Sequence, residues 1–291
     1  MSGVSESRKI RVAVVGTGEF GRNHARVYRE LGGVELVGVY DQSPQRAAAV
    51  AKEFQAPVLG SLEELQGHAD AVSVAVPTVA HARVGCQLLG MGLDVLVEKP
   101  MAVDLTEADA LLAAAKKNKR ILQVGHVERF NPAVRAVEPI LNRPLFFEVH
   151  RLGVFTPRSL DVDVIYDLMI HDLDILLALV NDERVRKMRF FQQREYVSLD
   201  YTRRDALRVG VKRPGPQPEL GFEKLPAPAV EPLHAELEVF VEASRTRHEP
   251  PTNGAAGREA LALAGRVMAS IQEHAARVQP EALAAREITT L

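Results

Sequence analysis

The chain has 291 residues, of which 46% are hydrophobic and 25% charged, and its formal net charge is -2. This balance argues against an extended basic surface for nucleic acid or an anionic membrane. Cys86 is the only cysteine, so an intrachain disulfide is excluded and a reducing compartment is favoured. No apolar run reaches the roughly 20 residues that span a bilayer, and the sequence predicts a cytoplasmic protein.

The first predicted element is a buried parallel strand over Ile10–Val15, which is rich in β-branched residues. A G-x-G-x-x-G loop and a helix over Arg22–Leu31 follow at once, as in dinucleotide-binding folds. The first glycine permits a tight turn, the second lets a pyrophosphate approach the helix N-terminus, and the third lets helix and strand pack closely. The loop residues assigned to the cofactor are Gly16, Thr17, Gly18, Glu19, Phe20 and Gly21.

The next predicted strand, Val34–Tyr40, ends in Asp41, about 20 residues beyond the glycine loop. A carboxylate at this position accepts the ribose hydroxyls of NAD and repels the extra phosphate of NADP. Arg46 keeps NADP open as the less favoured cofactor, and Gln42 is assigned to the cofactor beside Asp41. The alternative is that the glycines are ordinary turn residues and that Asp41 caps a helix over Pro44–Phe54. Strand, helix and acid together favour dinucleotide binding.

Strands and helices continue to alternate, which predicts a parallel, doubly wound Rossmann sheet. The strands are Ala71–Val76, Asp94–Glu98 and Ile121–Gly125, and the helices are Val79–Met91 and Asp104–Asn118. Ligands of such sheets bind beyond the carboxyl ends of the strands. The residues predicted to meet there, in addition to the glycine loop and Asp41, are Pro77, Glu98, Lys99 and Gly125.

The second half predicts an α+β domain with a mostly antiparallel sheet. Its helices are Asn131 to about Leu141, Val164–Val180, Glu231–Arg245 and Gly257–Ala276, and its strands are Pro144–Leu152, Arg184–Phe191, Glu195–Tyr201 and Ala206–Val211. We therefore predict a dinucleotide-binding domain over residues 1–125 and a substrate-binding and oligomerisation domain over 126–291.

Asp167 and His171 stand four residues apart on one predicted helix and so share a face. The aspartate could fix the histidine tautomer for general acid–base chemistry. On this pair alone, a solvated Asp167 and a core histidine are the favoured interpretation. A zinc site is the third interpretation, but no second histidine or cysteine stands at ligand spacing.

Four features together resemble the Gfo/Idh/MocA family of sugar and cyclitol oxidoreductases. They are the glycine loop, Ala75–Thr78 followed by His81, Glu98-Lys99-Pro100, and the Asp167–His171 pair. The resemblance covers Ile10–Val180 and resumes from about Arg184. It implies that Val76, Thr78, His81 and His126 join the cofactor site. Two further segments, 125–132 and 155–163, are similar to the branch that oxidises C3 of UDP-N-acetylglucosamine in lipid A precursor synthesis.

The resemblance implies a mechanism that needs no metal. His171 would take the hydroxyl proton of a sugar alcohol, Lys99 would polarise its oxygen, and Asp167 would orient His171. The Lys99–Pro100 peptide bond would be cis, an unusual and fixed feature. Further residues expected at a sugar or nucleotide-sugar substrate are Arg129, Asn131 and Arg158. The two arginines suit a nucleotide-sugar because arginine binds phosphate through a planar fork.

One departure from the family concerns the second domain. Relatives have several more strands between the Asp167–His171 helix and the segment like Arg184–Phe191, whereas this chain has only residues 181–183. The predicted antiparallel sheet is therefore shortened, and the implied homo-oligomer stays open. Three functions remain: a nucleotide-sugar dehydrogenase, another sugar or inositol-type dehydrogenase, and a non-catalytic dinucleotide- or sugar-nucleotide-binding protein.

Overall fold

The structure, a computed structural model, describes residues 8–141, 148–149, 164–179, 190–192, 195–200, 203–213 and 219–277. It contains a five-stranded parallel sheet and a separate four-stranded antiparallel sheet. The predicted fold class, a parallel doubly wound sheet followed by an α+β region with an antiparallel sheet, is confirmed.

The first sheet is built from alternating strands and helices. They are β1 (Ile10–Val15), α1 (Glu19–Glu30), β2 (Val34–Tyr40), α2 (Pro44–Phe54), β3 (Ala71–Val74), α3 (His81–Gly90), β4 (Asp94–Glu98), α4 (Leu105–Asn118) and β5 (Leu122–Gly125). β3 and β5 are buried along their whole length, as expected of strands covered by helices on both faces. The strand order is β2-β1-β3-β4-β5, so the order reverses between β1 and β3 and opens a crevice at their carboxyl ends.

The predicted bounds of β1, β2, α2 and β4 agree with the structure, and three neighbouring elements differ. α1 begins at Glu19 rather than Arg22, because Gly18 already serves as its N-cap. β3 ends at Val74 rather than Val76, shortly before Pro77, which has no N–H to continue the ladder. The predicted helix from Val79 opens with a 3₁₀ turn over Thr78–Ala80 before α3.

Two helices of the second half are less regular than predicted. α5 (Pro132–Val137) gives way to a 3₁₀ turn over Glu138–Ile140, because the residue before Pro139 disfavours continued α-helix. The helix predicted from Val164 has a π-helical turn over Ile165–Met169, and only then becomes α6 (Ile170–Leu179). The π turn matters because it contains Asp167.

The second sheet is a run of antiparallel hairpins: β6 (Phe190–Gln192), β7 (Glu195–Asp200), β8 (Asp205–Arg213) and β9 (Glu219–Leu225). β9 was not predicted. One sheet face packs on α5 and α6 through a small core of Val137, Val197, Ala206 and Leu225. The predicted strand Pro144–Leu152 lies outside the described residues except for residues 148 and 149, which are not in a strand. The part of Arg184–Phe191 before residue 190 also lies outside the described residues.

The last two helices return to the first sheet. Leu237 and Phe240 of α7 (Pro232–Thr246) join the core formed by β1, α1 and α2. Ala260 and Leu261 of α8 (Gly254–Arg277) join the core formed with α3 and α4. The domain boundary at residue 125 stays a prediction, and the core around the first sheet includes side chains from both sides of it. Among the helices that the structure describes, none is long and apolar enough to cross a membrane.

Candidate active site

The glycine loop leaves the room that a dinucleotide needs. Gly16 has a φ of +90°, and a Cβ there would lie 2.5 Å from the carbonyl oxygen of Ala75. A Cβ on Gly21 would overlap the carbonyl oxygen of Gly16, whereas a Cβ on Gly18 would meet nothing within 4 Å. The open space at Gly18 adjoins the N-terminus of α1, which no side chain caps. The positive end of this helix suits a phosphate, so these residues fit the pyrophosphate of a dinucleotide.

Asp41 joins the end of β2 to the glycine loop. Its Oδ2 accepts hydrogen bonds from the backbone N–H and the hydroxyl of Thr17, at 2.8 and 3.0 Å. Its Oδ1 accepts from Arg46 and from the N–H of Ser43, both at 2.8 Å. Burial raises the pKa of Asp41, but the hydrogen bonds from Arg46, Ser43 and Thr17 outweigh burial and lower it. A charged carboxylate therefore stands where the ribose is predicted to bind, and Gln42 beside it is exposed.

His81 ties together the segments that follow β3 and β4. Its Nδ1 lies 2.9 Å from the carbonyl oxygen of Pro100, and its Nε2 lies 2.9 Å from that of Val76. Burial lowers the pKa of His81, against the two carbonyl oxygens that favour its protonated form. The Lys99–Pro100 peptide bond is cis, as predicted. His81 thus links the segment that follows β3 to the segment that follows β4.

Lys99 follows β4 and is bound by the π-helical turn. Its Nζ donates to the carbonyl oxygen of Asp167 at 2.6 Å and to Oδ1 of the same residue at 2.7 Å. The Lys99 side chain is 12% exposed and that of Asp167 is 33% exposed, so the pair borders solvent. π-helical turns often occur at functional sites. The sequence predicted that Asp167 would orient His171; the contact that the structure shows for its carboxylate is with Lys99.

Two histidines lie next to this pair. His171, in the first turn of α6, and His126, directly after β5, are both buried. Their ring centroids are 5.9 Å apart and the rings are nearly perpendicular, at 86°. Burial, with help from Arg129 and Lys99, lowers the pKa of His126 against the carboxylates of Asp174 and Glu98. A neutral imidazole therefore packs against His171.

Arg129 and Asn131 brace the segment after β5. Arg129 forms a bidentate ion pair with the carboxylate of Asp174 on α6, at 2.9 and 2.7 Å, and also donates to the Asp174 carbonyl at 3.0 Å. The side chain of Asn131 accepts from the N–H of Ala133 at 3.0 Å and so caps α5. Their predicted roles at the substrate stay predictions. Arg158 lies outside the described residues.

The sequence did not single out His24 or Glu236, which belong to the same buried cluster. The Nε2 of His24, on α1, lies 2.9 Å from Oε1 of Glu98. His24 falls on the buried stripe of α1 with Gly21, Ala25 and Tyr28, and a polar residue on an apolar stripe was the available signal. Glu236 of α7 is fully buried. Burial raises its pKa well above the usual range, with further contributions from Glu98 and Asp174.

A cleft lies at the carboxyl edge of the first sheet, and Lys99 and Asp167 line it, whereas His126 and His171 do not. Its lining residues are Phe20, Ala75, Val76, Pro77, Thr78, His81, Glu98, Lys99, Pro100 and Asp167. A larger cavity of about 560 Å³ lies between α4 and the start of α8. That cavity includes none of the predicted site residues and adjoins the amino end of β5, so the smaller cleft is the candidate active site. Within the described ranges, no group of three His, Cys, Asp or Glu side chains could hold a metal ion.

A Rossmann sheet with lysine and histidine at its carboxyl edge defines the class of dinucleotide-dependent oxidoreductases. The family profile described as "Oxidoreductase family, NAD-binding Rossmann fold" matches residues 10–126. A UDP-N-acetylglucosamine 3-dehydrogenase of Acidithiobacillus ferrooxidans is 32% identical over 308 residues, covering 90% of this chain and 97% of that protein. The chain therefore belongs to the Gfo/Idh/MocA family of oxidoreductases.

Two further comparisons bear on fold and substrate. A solved structure of the A. ferrooxidans UDP-N-acetylglucosamine 3-dehydrogenase superposes with a TM-score of 0.81 at 31% identity, covering 89% of this chain and 96% of that one. An inositol 2-dehydrogenase of Cereibacter sphaeroides is 31% identical over 60% of this chain and 55% of its own length. The 308 aligned residues of the first relative exceed the 291 of this chain, so this chain lacks residues that the relative contains.

Proposed function

We propose that this oxidoreductase uses NAD to remove a hydride from a secondary alcohol of a sugar, and that its substrate is UDP-N-acetylglucosamine, oxidised at C3. The observation that carries the proposal is the position of Lys99. Its ammonium group is held by Asp167 in the cleft onto which the glycine loop opens. The relative that supports this substrate aligns over nearly its whole length.

Each side chain has a role suited to alcohol oxidation. NAD, when bound, supplies the hydride acceptor. His171 accepts the hydroxyl proton, as an imidazole suits general base catalysis near neutral pH. Lys99 donates to the alcohol oxygen and stabilises the negative charge that develops there. Asp167 positions Lys99 through its carbonyl oxygen and its carboxylate.

Asp41 supports NAD over NADP. Its charged carboxylate lies at the end of β2, where a 2′-phosphate would be repelled. Arg46 is the cation that could offset this repulsion, but its guanidinium is already paired with Asp41 at 2.8 Å. We therefore expect NADP to be a poorer cofactor than NAD.

A cyclitol of the inositol type is the second candidate substrate. It is favoured by the C. sphaeroides inositol 2-dehydrogenase, which is 31% identical over 60% of this chain. Lys99 and His171 suit any secondary alcohol, so the reacting groups alone do not separate the two substrates.

The test is NADH formation in a single turnover, followed by stopped-flow fluorescence, with UDP-N-acetylglucosamine or free myo-inositol. NADP replaces NAD in a parallel series. Lys99→Met should slow the hydride step by about 10²- to 10³-fold, since it removes one donor at the developing oxyanion. Lys116→Met, on the exposed end of α4, is the matched control.

The outcomes separate the candidates. A burst with the nucleotide-sugar alone, lost in Lys99→Met and kept in Lys116→Met, is the expected result. A burst with myo-inositol alone would replace the proposed substrate by a cyclitol. NADH formation that survives Lys99→Met unchanged would remove Lys99 from the reaction.

A further inference from the structure

Glu98 is a charged residue in the cleft for which the reaction above has no use. It is the last residue of β4 and directly precedes Lys99. Its side chain is 13% exposed and lines the cleft together with Phe20, Thr78 and Lys99. A largely buried carboxyl group therefore faces the space proposed for the cofactor.

The surroundings of Glu98 keep it ionised. Burial raises its pKa, but the imidazole of His24, followed by His81 and Lys99, outweighs burial and holds the pKa below its ordinary value. The nearest of these groups, Nε2 of His24, is 2.9 Å from Oε1. The carboxylate thus carries its negative charge in a region from which most water is excluded.

The neighbouring strand leaves room for this carboxylate. A Cβ added to Gly125, at the end of β5, would lie 3.0 Å from the Glu98 carboxyl carbon and from both of its oxygens. Such contacts are tighter than ordinary van der Waals distance, so a larger residue at position 125 would displace the carboxylate. β4, β5 and α1 together fix the position of the charge.

We propose that the Glu98 carboxylate makes the cleft favour the oxidised cofactor, binding NAD⁺ in preference to NADH. This inference rests on the proposed function, since it assumes that a nicotinamide dinucleotide occupies the cleft. The oxidised nicotinamide ring carries a positive charge, and addition of a hydride removes that charge. A fixed carboxylate nearby attracts the cationic oxidised ring, whereas the neutral reduced ring gains no comparable electrostatic attraction. The attraction is stronger where water is excluded.

The inference makes Glu98 a determinant of cofactor redox state rather than a catalytic group. Because the Glu98 carboxylate stabilises bound NAD⁺ more than bound NADH, the protein's affinity for NADH is lower relative to its affinity for NAD⁺. Reduced cofactor is then released more readily after each oxidation of substrate. Removing the charge should change the ratio of the two affinities, which a purely structural role for Glu98 would leave constant.

The experiment is calorimetric titration of the full chain with NAD⁺ and, separately, with NADH, in the absence of any sugar. The parent protein should bind NAD⁺ at least as tightly as NADH. Glu98→Gln removes the charge and keeps the shape, and should lower the ratio Kd(NADH)/Kd(NAD⁺) by about tenfold. Glu98→Asp keeps the charge, and its ratio should stay closer to that of the parent.

Glu242→Gln is the matched control, because Glu242 pairs with Arg245 on the exposed side of α7, and it should leave the ratio unchanged. Equal weakening of both forms by Glu98→Gln, or a parent that binds NADH more than tenfold tighter than NAD⁺, would overturn this inference alone. The second result does not depend on the folding of any variant. A parent that binds neither form would overturn the proposed function as well.

Discussion

The two sheets of this protein differ in how completely they are covered. The parallel sheet is packed on both faces, and its strands β1, β3, β4 and β5 are almost continuously buried, whereas the edge strand β2 is partly buried. Among the residues that the structure describes, the antiparallel sheet is packed on one face only, by α5 and α6. Its other face presents Leu207, Leu220 and Phe222, with exposed fractions of 39%, 52% and 70%.

This difference shows where the chemistry is anchored. Glu98 is the last residue of β4, Lys99 directly follows β4, and His126 directly follows β5. Asp167 and His171 come from the π turn and α6, which pack on α8 and thereby on the same sheet. The groups proposed to react are therefore anchored on the parallel sheet or on elements packed against it.

The largest effect is expected at the glycine loop of the covered sheet. Gly21→Ala places a methyl group into the carbonyl oxygen of Gly16, so the helix and the loop must separate. We expect a loss of about 3–5 kcal/mol in the free energy of unfolding, measured by urea denaturation. Gly18→Ala meets nothing within 4 Å and should keep stability while weakening NAD binding. Equal stability of the two variants would contradict the close packing of α1.

Breaking the ion pair behind the active site comes next. Arg129→Met leaves the Asp174 carboxylate, whose side chain is 1% exposed, without its bidentate partner. A buried charge deprived of its partner costs about 3–5 kcal/mol, again measured by urea denaturation. Arg203→Met removes an exposed arginine that pairs with Asp200 in the half-covered region, and should cost less than about 1 kcal/mol. If Arg129→Met and Arg203→Met lowered the free energy of unfolding by similar amounts, the Asp174 carboxylate would have to be stabilised by water in place of Arg129.

The two faces of the antiparallel sheet should respond differently to substitution. Leu225→Ala, on the packed face at 6% exposure, should cost about 2–3 kcal/mol because it leaves a cavity. Phe222→Ala, on the other face, should change stability by less than about 0.5 kcal/mol. Chemical denaturation at several protein concentrations measures both. A large, concentration-dependent cost at Phe222 would mean that the outer face is covered, as in the homo-oligomer that the sequence left open.

The smallest expected effect is the dependence of the free energy of unfolding on pH. The folded protein lowers the pKa of His126, so below the ordinary histidine pKa of about 6.5 the unfolded chain binds a proton that the folded chain does not. Stability is therefore full above about pH 6.5 and falls below it, by at most about 1.4 kcal/mol per pH unit from this group. The free energy of unfolding of His126→Gln should fall less between pH 7.5 and 5.5 than that of the parent. A steeper fall in the variant would contradict a neutral His126.

Much of the covered sheet could be predicted because its strands are short apolar runs between glycine, proline and charged residues. β1, β2 and β4 agree with the structure residue by residue. β9 escaped prediction because only Leu225 within it is buried, so its sequence lacks both the apolar run and the strict alternation of a strand. Pairing with β8 determines this strand, and such pairing is a tertiary effect.

The candidate site was predictable in its members rather than in its contacts. Lys99, Asp167 and His171 were singled out; Lys99 and Asp167 line one cleft, and His171 is buried beside His126. The bond between Asp167 and Lys99 depends on a π-helical turn, whereas the spacing of four residues assumed an α-helix. His24 reaches Glu98 because α1 packs on the sheet, and Glu236 reaches the same region because α7 packs beside α1. Neither approach follows from a local sequence pattern.

The return of α7 and α8 to the first sheet has a consequence for biosynthesis. Both faces of that sheet are completed by side chains near residues 237–264, long after β5 ends at Gly125. At about 5–20 residues per second, the ribosome needs roughly 7–28 s to make this interval. During that time the nascent cofactor-binding half has an unfinished apolar surface, and it completes its fold only when the last helices emerge.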